Sequence, residues 1–333
     1  MKIIFFSAKP YDKVFFGQLN EKHGFTIEYH ETHLGPHIVN IVENAEAICV
    51  FVNDKLTEPV IKILAEKGVK IIALRCAGFN NVDLKAAEKY GIAVCRVPAY
   101  SPEAVAEHAV AMLQTINRKT HKAYNRVREQ NFALNGLLGY NLHGKTVGII
   151  GTGKIGKAFA NIMLGFGCNV LAYDLYPDHS LIDKGITYVK LEEVLTSSDI
   201  ISLHCPLTEE NHYLLNNETL ALVKPGVVII NTSRGGLINT ADIIQGLKTK
   251  QVGALCIDVY EQEEKLFFRD LSSNIIDDDN IQRLMSFPNV LITAHQAFFT
   301  EEALTEIAQV TLDSITRLHT AVMPKDDKVM LTK

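Results

Sequence analysis

"VGIIGTGKIGKAFA", residues 147–160, decides how this chain is divided. Gly151, Gly153 and Gly156 form GxGxxG between an apolar run that reads as a strand, TVGII at 146–150, and KIGKAFANIML, which has helical spacing. Each glycine answers a physical demand: a tight turn, approach of backbone to a pyrophosphate, and close packing of helix on strand. The start of the helix turns free amides and the positive end of its dipole toward phosphate. Glycine turns are common, so the motif takes its meaning from the strand before it and the helix after it. It implies dinucleotide binding. Such a turn usually opens its own domain, yet here it lies near the middle of 333 residues. Either an unrelated domain precedes it, or a nucleotide domain is inserted into another.

Reading outward from the turn favours insertion. Downstream, six apolar runs read as strands: 146–150, 169–174, 199–204, 226–231, 253–258 and 289–293. Six strands with intervening helices match a complete dinucleotide-binding sheet. The second run, NVLAYD, ends in Asp174, 18 residues beyond Gly156. That is near the ~20-residue offset of an acid that accepts ribose hydroxyls. A carboxylate there repels a 2′-phosphate, which favours NAD over NADP. Alone, Asp174 would read as a strand-end turn residue; beside the glycine motif it reads as cofactor-binding. Upstream, IIFF (3–6), AICVF (47–51), KIIALR (70–75) and AVCRV (93–97) alternate with helical stretches at 11–22, 57–67 and 83–90, each stopped by a glycine (Gly24, Gly68, Gly91). Such alternation predicts a parallel sheet covered on both faces.

The expected fold is therefore α/β, with two doubly wound parallel-sheet domains: a Rossmann NAD-binding domain inserted into a flavodoxin-like substrate domain. The boundaries read as 1–100 plus 297–333 for the substrate domain and 101–296 for the nucleotide domain. One long helix is expected over about 102–130, opened by Ser101, Pro102 and Glu103, and another over 300–320. The crossings near Pro98–Ser101 and Ala297–Thr300 would act as a hinge. The acidic IIDDDN at 275–280 reads as a solvated loop.

Composition excludes several functions. Hydrophobic residues make up 47% and charged residues 21%, with a net charge of −5, and mean hydropathy is +0.08 with a pI near 6.2. This is an ordinary globular balance, without the basic footprint of a nucleic-acid or anionic-membrane binder. Runs such as VVII at 227–230 are too short to span a bilayer. The N-terminus MKIIFFSAKP reads as a first strand and lacks the features of a signal peptide. Cys49, Cys76, Cys95, Cys168, Cys205 and Cys256 form no CxxC pair, and reduced, mostly buried thiols in a cytoplasmic enzyme are expected. His30, His33 and His37 lie close in sequence, but without cysteines or a helical HExxH they read as surface histidines, and no metal is expected.

Three later segments bring reactive side chains to strand ends, where doubly wound sheets bind ligands. VVIINTSRGG delivers Arg234, GALCIDVYEQEE delivers Asp258, Glu261 and Glu263, and NVLITAHQAFF delivers His295. Arginine offers a planar fork to a carboxylate. Glutamate fixes a histidine tautomer and favours its protonated form. Histidine then exchanges a proton with an oxygen while hydride moves at the adjacent carbon. Singly, each has a plainer reading: a loop arginine, a solvated acidic run, a satisfied buried histidine. Their order and sheet-edge location together point to an oxidoreductase site.

With these motifs in place, the chain resembles the D-2-hydroxyacid dehydrogenase family, and within it the fermentative D-lactate dehydrogenase branch. The resemblance runs through LRCAGFNNVDL (74–84), VPAYSPEAVAEHAVAML (97–113), YNLHGKTVGIIGTGKIG (140–156), HCPLTEENHYLLN (204–216), NTSRGGLINT (231–240), DVYEQE (258–263) and HQAFFTEEAL (295–304). It implies reversible NADH-dependent reduction of pyruvate or another 2-keto acid. Arg234 would bind substrate and contact cofactor, Glu263 would orient the histidine, and His295 would serve as acid and base. Cofactor contacts would fall on Gly151, Gly153, Lys154, Ile155, Gly156 and Asp174, then on Cys205, Pro206, Asn211, Thr232, Ser233 and Asp258. Backbone amides of Ala77, Gly78 and Phe79 would receive the substrate carboxylate, with Tyr100 and Phe298 walling the pocket. Phe298 departs from relatives that carry tyrosine there. Relatives pair through their nucleotide domains, so a homodimer or higher homo-oligomer is expected. A corepressor-like protein that senses NAD through the same fold is the alternative from another class.

Overall fold

The computed structural model describes residues 1–322 and 328–332. Positions 323–327 and 333, assigned from sequence to the first domain, lie outside the described residues.

Met1–Ser101 and Phe298–Lys333 form one compact unit. Its elements are β1 (Lys2–Phe5), α1 (Pro10–Asn20), β2 (Thr26–Tyr29), β3 (Ala47–Val50), α2 (Glu58–Glu66), β4 (Ile71–Leu74), α3 (Leu84–Lys89) and β5 (Ala93–Arg96). The sheet is parallel, in the order β2-β1-β3-β4-β5, which is the flavodoxin arrangement. Every residue of β3 and β4 is buried, which is why both read as unbroken apolar runs. β2 was not expected. Its sequence TIEY is only partly buried because it lies at the sheet edge, so its apolar signal is diluted.

Pro102–Ala297 form the other unit. It runs α4 (Pro102–Arg118), α5 (Thr120–Arg128), β6 (Thr146–Ile150), α6 (Lys154–Gly165), β7 (Asn169–Tyr173), α7 (His179–Ile182), β8 (Thr187–Tyr188) and α8 (Leu191–Ser197). It continues through β9 (Ile200–Leu203), α9 (Asn217–Leu220), β10 (Val227–Asn231), α10 (Thr240–Thr249), β11 (Val252–Ile257), α11 (Asp279–Ser286) and β12 (Val290–Ile292). The parallel sheet is ordered β12-β11-β10-β9-β6-β7-β8. Strand order reverses between β6 and β9, which makes the crevice beyond their carboxyl ends the ligand site of a Rossmann sheet. Ala106, Ala109, Met112 and Leu113 of α4 pack with Phe159 and Met163 of α6 on buried strand residues such as Val147 and Ile149. Each large side chain buried there is worth about 1.5–3 kcal/mol. The final helix α12 (Glu301–His319) returns to the first unit and packs on α1, β4 and β5.

Two expectations need correction. The helix expected over 102–130 is two helices, because Lys119 adopts a left-handed φ of 50° between α4 and α5. No glycine or proline marks the break. Tertiary docking supplies it: Asn117 bonds both the amide and the carbonyl of Tyr140 at 2.9 Å, and Lys119 Nζ donates to the Leu138 carbonyl. The acidic 275–280 stretch is not simply a solvated loop either. Asp278 caps α11 through the Ile281 amide and accepts the hydroxyl of buried Tyr260. Of the early histidines, His30 bonds Glu28 and His33 bonds Ser7, each at 2.7 Å, and His37 is exposed.

Candidate active site

The glycine turn follows β6 at the switch point. Gly151 has φ +96°, and a methyl group there would lie 2.6 Å from the Cys205 amide nitrogen. A methyl on Gly156 would overlap the Gly151 carbonyl oxygen, whereas one on Gly153 meets nothing within 4 Å. Two glycines are thus required by the protein's own packing, and the third leaves an open face at the start of α6. Gly153 is the cap of that helix and offers no side chain to its free amides, and Lys154 and Ile155 form its first turn. Asp174, just past β7, accepts the amide and hydroxyl of Thr152 and the amide of Tyr176. The carboxylate is thereby held at the lip of the turn. Tyr188 of the unpredicted strand β8 steadies it by donating to the Thr152 hydroxyl at 2.8 Å.

Farther along the same sheet edge, Asn231 ends β10 and organises the next loop. Its side chain accepts the Ser233 amide and donates to the Arg234 carbonyl, while the Ser233 hydroxyl donates to the Cys205 carbonyl at 2.6 Å. Asn211 closes the 205–211 loop by donating to the Pro206 carbonyl at 2.7 Å and accepting the Thr208 amide. Burial pushes the Cys205 thiol up to about 11. Arg234 is exposed, and no carboxylate pairs with it among the described residues of its unit. Gly235 lets this loop press on the 260–261 backbone, since a methyl there would overlap Tyr260.

That neighbouring stretch carries the acid. Glu263 Oε1 lies 2.9 Å from His295 Nδ1, and its Oε2 accepts the Tyr260 amide at 3.0 Å. Against an ionised carboxylate, which only accepts, Nδ1 bears the hydrogen, and Nε2 is the ring nitrogen not held by Glu263. His295 itself has a left-handed φ of 53°. Its amide donates to the Asp258 carbonyl, and the amides of Gln296 and Ala297 donate to the Asp258 carboxylate at 2.8 and 2.9 Å. Asp258 is fully buried and also accepts the Thr293 hydroxyl at 2.6 Å, with His108 Nε2 3.6 Å away. Burial alone would raise this carboxyl; bonding to His108, Thr293 and the two amides outweighs it and holds Asp258 below the usual range.

Similarity to known proteins follows the same lines. Residues 110–297 match the family described as D-isomer specific 2-hydroxyacid dehydrogenase, NAD binding domain. The chain is 53% identical over 316 residues to 2-hydroxyacid dehydrogenase homolog 1 of Schizosaccharomyces pombe, covering 95% of both chains. The chain belongs to the D-2-hydroxyacid dehydrogenase family. It is also 51% identical over 318 residues to a D-lactate dehydrogenase of Escherichia coli, covering 96% of this chain and 97% of that one. The solved pyruvate reductase of Chlamydomonas reinhardtii superposes with a TM-score of 0.93 at 42% identity, covering 98% of each.

This dehydrogenase uses NAD, and its residues fit that cofactor. The open face at Gly153 suits a pyrophosphate, Asp174 suits ribose hydroxyls, and the buried hydroxyl of Thr232 has no hydrogen-bond partner among the described residues. In the first unit, the dehydrogenase gathers polar and aromatic groups at the carboxyl ends of its strands. The carbonyl of Ala77 accepts Arg96 at 2.9 Å, that of Gly78 accepts the Cys76 thiol, and Phe79 stacks under Arg96 at 5.0 Å. Tyr100 and Phe51 lie 6.2 and 6.4 Å from the ring of Phe298, which is 7% exposed.

Several contributors escaped the sequence reading. Arg75, buried beside Ala77, bonds the carbonyls of Phe6 and Ser7 and pairs with Asp12 at 3.3 Å. Its position at the end of an apolar strand was a usable signal. His108 and Thr293 gave none, because a helix-face histidine and a strand-end threonine are unremarkable until Asp258 joins them. Among the described residues, no helix is long and apolar enough to cross a membrane.

Proposed function

We propose that the enzyme reduces pyruvate reversibly to D-lactate, with His295 as proton donor, Glu263 as its orienting partner and Arg234 as the substrate clamp. The observation that carries this reading is the 2.9 Å pairing of Glu263 with His295. The names of the Escherichia coli and Chlamydomonas reinhardtii relatives support pyruvate as the keto acid.

NADH, when bound, supplies the hydride. Gly151, Gly153, Lys154, Ile155, Gly156 and Asp174 would hold its pyrophosphate and ribose side, and Cys205, Pro206, Asn211, Thr232, Ser233 and Asp258 would complete the contacts. Arg234 presents its fork to the carboxylate and carbonyl oxygen of the substrate, which fixes the carbonyl carbon for attack. His295, protonated and steadied at Nδ1 by Glu263, gives the Nε2 proton to the carbonyl oxygen as negative charge develops there. In the reverse direction the same nitrogen accepts it. In the substrate domain, the amides of Ala77, Gly78 and Phe79, with Tyr100 and Phe298, form the substrate-facing segment.

His295→Ala should lower turnover by about 10²–10⁴-fold while leaving NADH binding intact. Near-normal turnover would sink the assignment. Rates with pyruvate, phenylpyruvate, hydroxypyruvate and glyoxylate, with chiral analysis of the product, test the substrate. D-lactate formed fastest supports the reading; another preferred acid replaces pyruvate, and silence with all four despite NADH binding favours an NAD-sensing protein.

The enzyme works as a homodimer or higher homo-oligomer joined through its nucleotide domain. Phe132, Leu134 and Leu138 are 73%, 80% and 88% exposed, beside exposed Tyr124 and Val127. Such an apolar stretch marks an interaction surface, and a second copy would cover it. Light scattering at the monomer mass would overturn this. The six free thiols suit a reducing compartment, so we place the enzyme in the cytoplasm.

A further inference from the structure

The carboxylates of Glu261 and Glu263 are neighbours in sequence and divided in space. Glu263 spans His295 and the Tyr260 amide, whereas Glu261 turns away to accept the Tyr213 hydroxyl at 2.8 Å. The second oxygen of Glu263 therefore depends on where the Tyr260 peptide sits. That peptide is anchored at the far end of its own side chain. Tyr260 is 3% exposed, and its hydroxyl donates to both oxygens of Asp278, at 2.7 and 3.0 Å. Asp278 is fixed in turn as the cap of α11, accepting the Ile281 amide at 3.0 Å. A hydrogen bond to a carboxylate is stronger and more directional than one between neutral groups. A continuous chain of contacts thus runs from the start of α11 through Asp278, Tyr260 and Glu263 to His295.

We propose that Tyr260 and Asp278 are positioning residues for the acid/base pair: their hydrogen bond aims the Glu263 carboxylate at His295 Nδ1. This rests on the His295–Glu263 reading above. When the bond is lost, the Tyr260 ring stays buried, but the 259–261 backbone loses its anchor, and the amide that orients Oε2 shifts with it. A misaligned carboxylate favours a protonated imidazole less. Reduction, which consumes that proton, then fails at lower pH. Other charged groups stand around the pair: Glu261 acts electrostatically on Tyr260, and Asp277 and Asp279 flank Asp278. Asp258 lies under the 295–297 turn with His108 against it. Glu264 and Lys265 are exposed on the same short turn, and Arg234 rides on the loop that packs against Tyr260.

The test is the pH profile of kcat/KM for pyruvate reduction in Tyr260→Phe, Asp278→Asn, Tyr213→Phe and Glu263→Gln, each checked for folding by thermal melting. In Tyr260→Phe, the pH at which kcat/KM falls to half should drop by about half a unit. Its kcat should fall about three- to tenfold, the worth of one hydrogen bond, with NADH affinity unchanged. Asp278→Asn keeps an acceptor and a helix cap, so it should move the profile in the same direction by less; it carries the test if Tyr260→Phe does not fold. Tyr213→Phe, which frees only Glu261, should leave the profile in place. A folded Tyr260→Phe with the wild-type profile overturns the proposal, and so does an equal displacement in Tyr213→Phe, which would mean general loosening of the loop. Glu263→Gln should displace the profile most; if it displaces nothing, the His295–Glu263 reading itself fails.

Discussion

The turn at Gly151 and the turn at His295 both hold backbone in the left-handed region, and they do so by opposite means. Gly151, at φ +96°, has no side chain to strain, and a methyl group there would lie 2.6 Å from the Cys205 amide nitrogen. His295, at φ 53°, keeps a side chain in a conformation that costs an ordinary residue about 1–3 kcal/mol. Its turn is held by Asp258, which takes three successive amides, one on its carbonyl and two on its carboxylate. Where one backbone segment must pass close to another, glycine solves the problem by absence. Where the side chain is itself the proposed proton donor, a buried carboxylate enforces the conformation.

Replacing the enforcing group should break this contrast most visibly. Asp258→Asn puts amide hydrogens against the Gln296 and Ala297 donors. It should lower kcat by about 10²-fold or more through the loss of His295 geometry, and lower unfolding free energy by about 1–3 kcal/mol. An NADH titration sharpens the result: an unchanged Kd means Asp258 works through the turn alone, and a weakened one means it also touches the cofactor. Activity within a few-fold of wild type would show that the 295–297 turn holds itself.

At the other turn, Gly151→Ala and Gly153→Ala should separate packing from binding. The first should lower the melting temperature, because a methyl has no room and the backbone angle is unfavourable. The second meets nothing in the protein, so the melting temperature should stay put while NADH affinity falls about tenfold. If Gly153→Ala binds NADH normally, the open face at α6 is not where the pyrophosphate lies.

Acid should test the carboxylate without mutation. Asp258 is held below its ordinary range, so the unfolded chain binds the extra proton first, and stability rises with pH in that window. The stabilisation is present above about pH 4 and is lost as pH falls through the folded value. Urea unfolding of wild type and Asp258→Asn should therefore converge on acidification; a constant gap would deny the ionised state. The smallest effect belongs to Thr293→Val, which removes one hydroxyl from Asp258 and should cost about 1 kcal/mol, with kcat reduced only a few-fold.

Much of this was legible in the chain. Buried parallel strands carry continuous apolar runs, so β3, β4, β6 and β9 to β11 stood out, and the spacing from Gly156 to Asp174 named the cofactor class. β2 and β8 did not stand out, one half-buried at an edge and the other two residues long. The break at Lys119 escaped for a different reason, since it answers to Asn117 and Leu138 contacts with a loop about twenty residues on.

The sequence by itself determined two doubly wound sheets, one inserted in the other, a dinucleotide turn, and Arg234, Glu263 and His295 at strand ends. These follow from periodicity and from glycine spacing, both local properties. The family resemblance had already named Glu263 for the histidine; only the tertiary structure decided that its second oxygen takes the Tyr260 amide while Glu261 takes Tyr213, that Asp258 is buried under the 295–297 turn, and that Asp278 reaches back to Tyr260. Those choices depend on which groups converge from distant elements to satisfy one another out of water, and no local pattern records that.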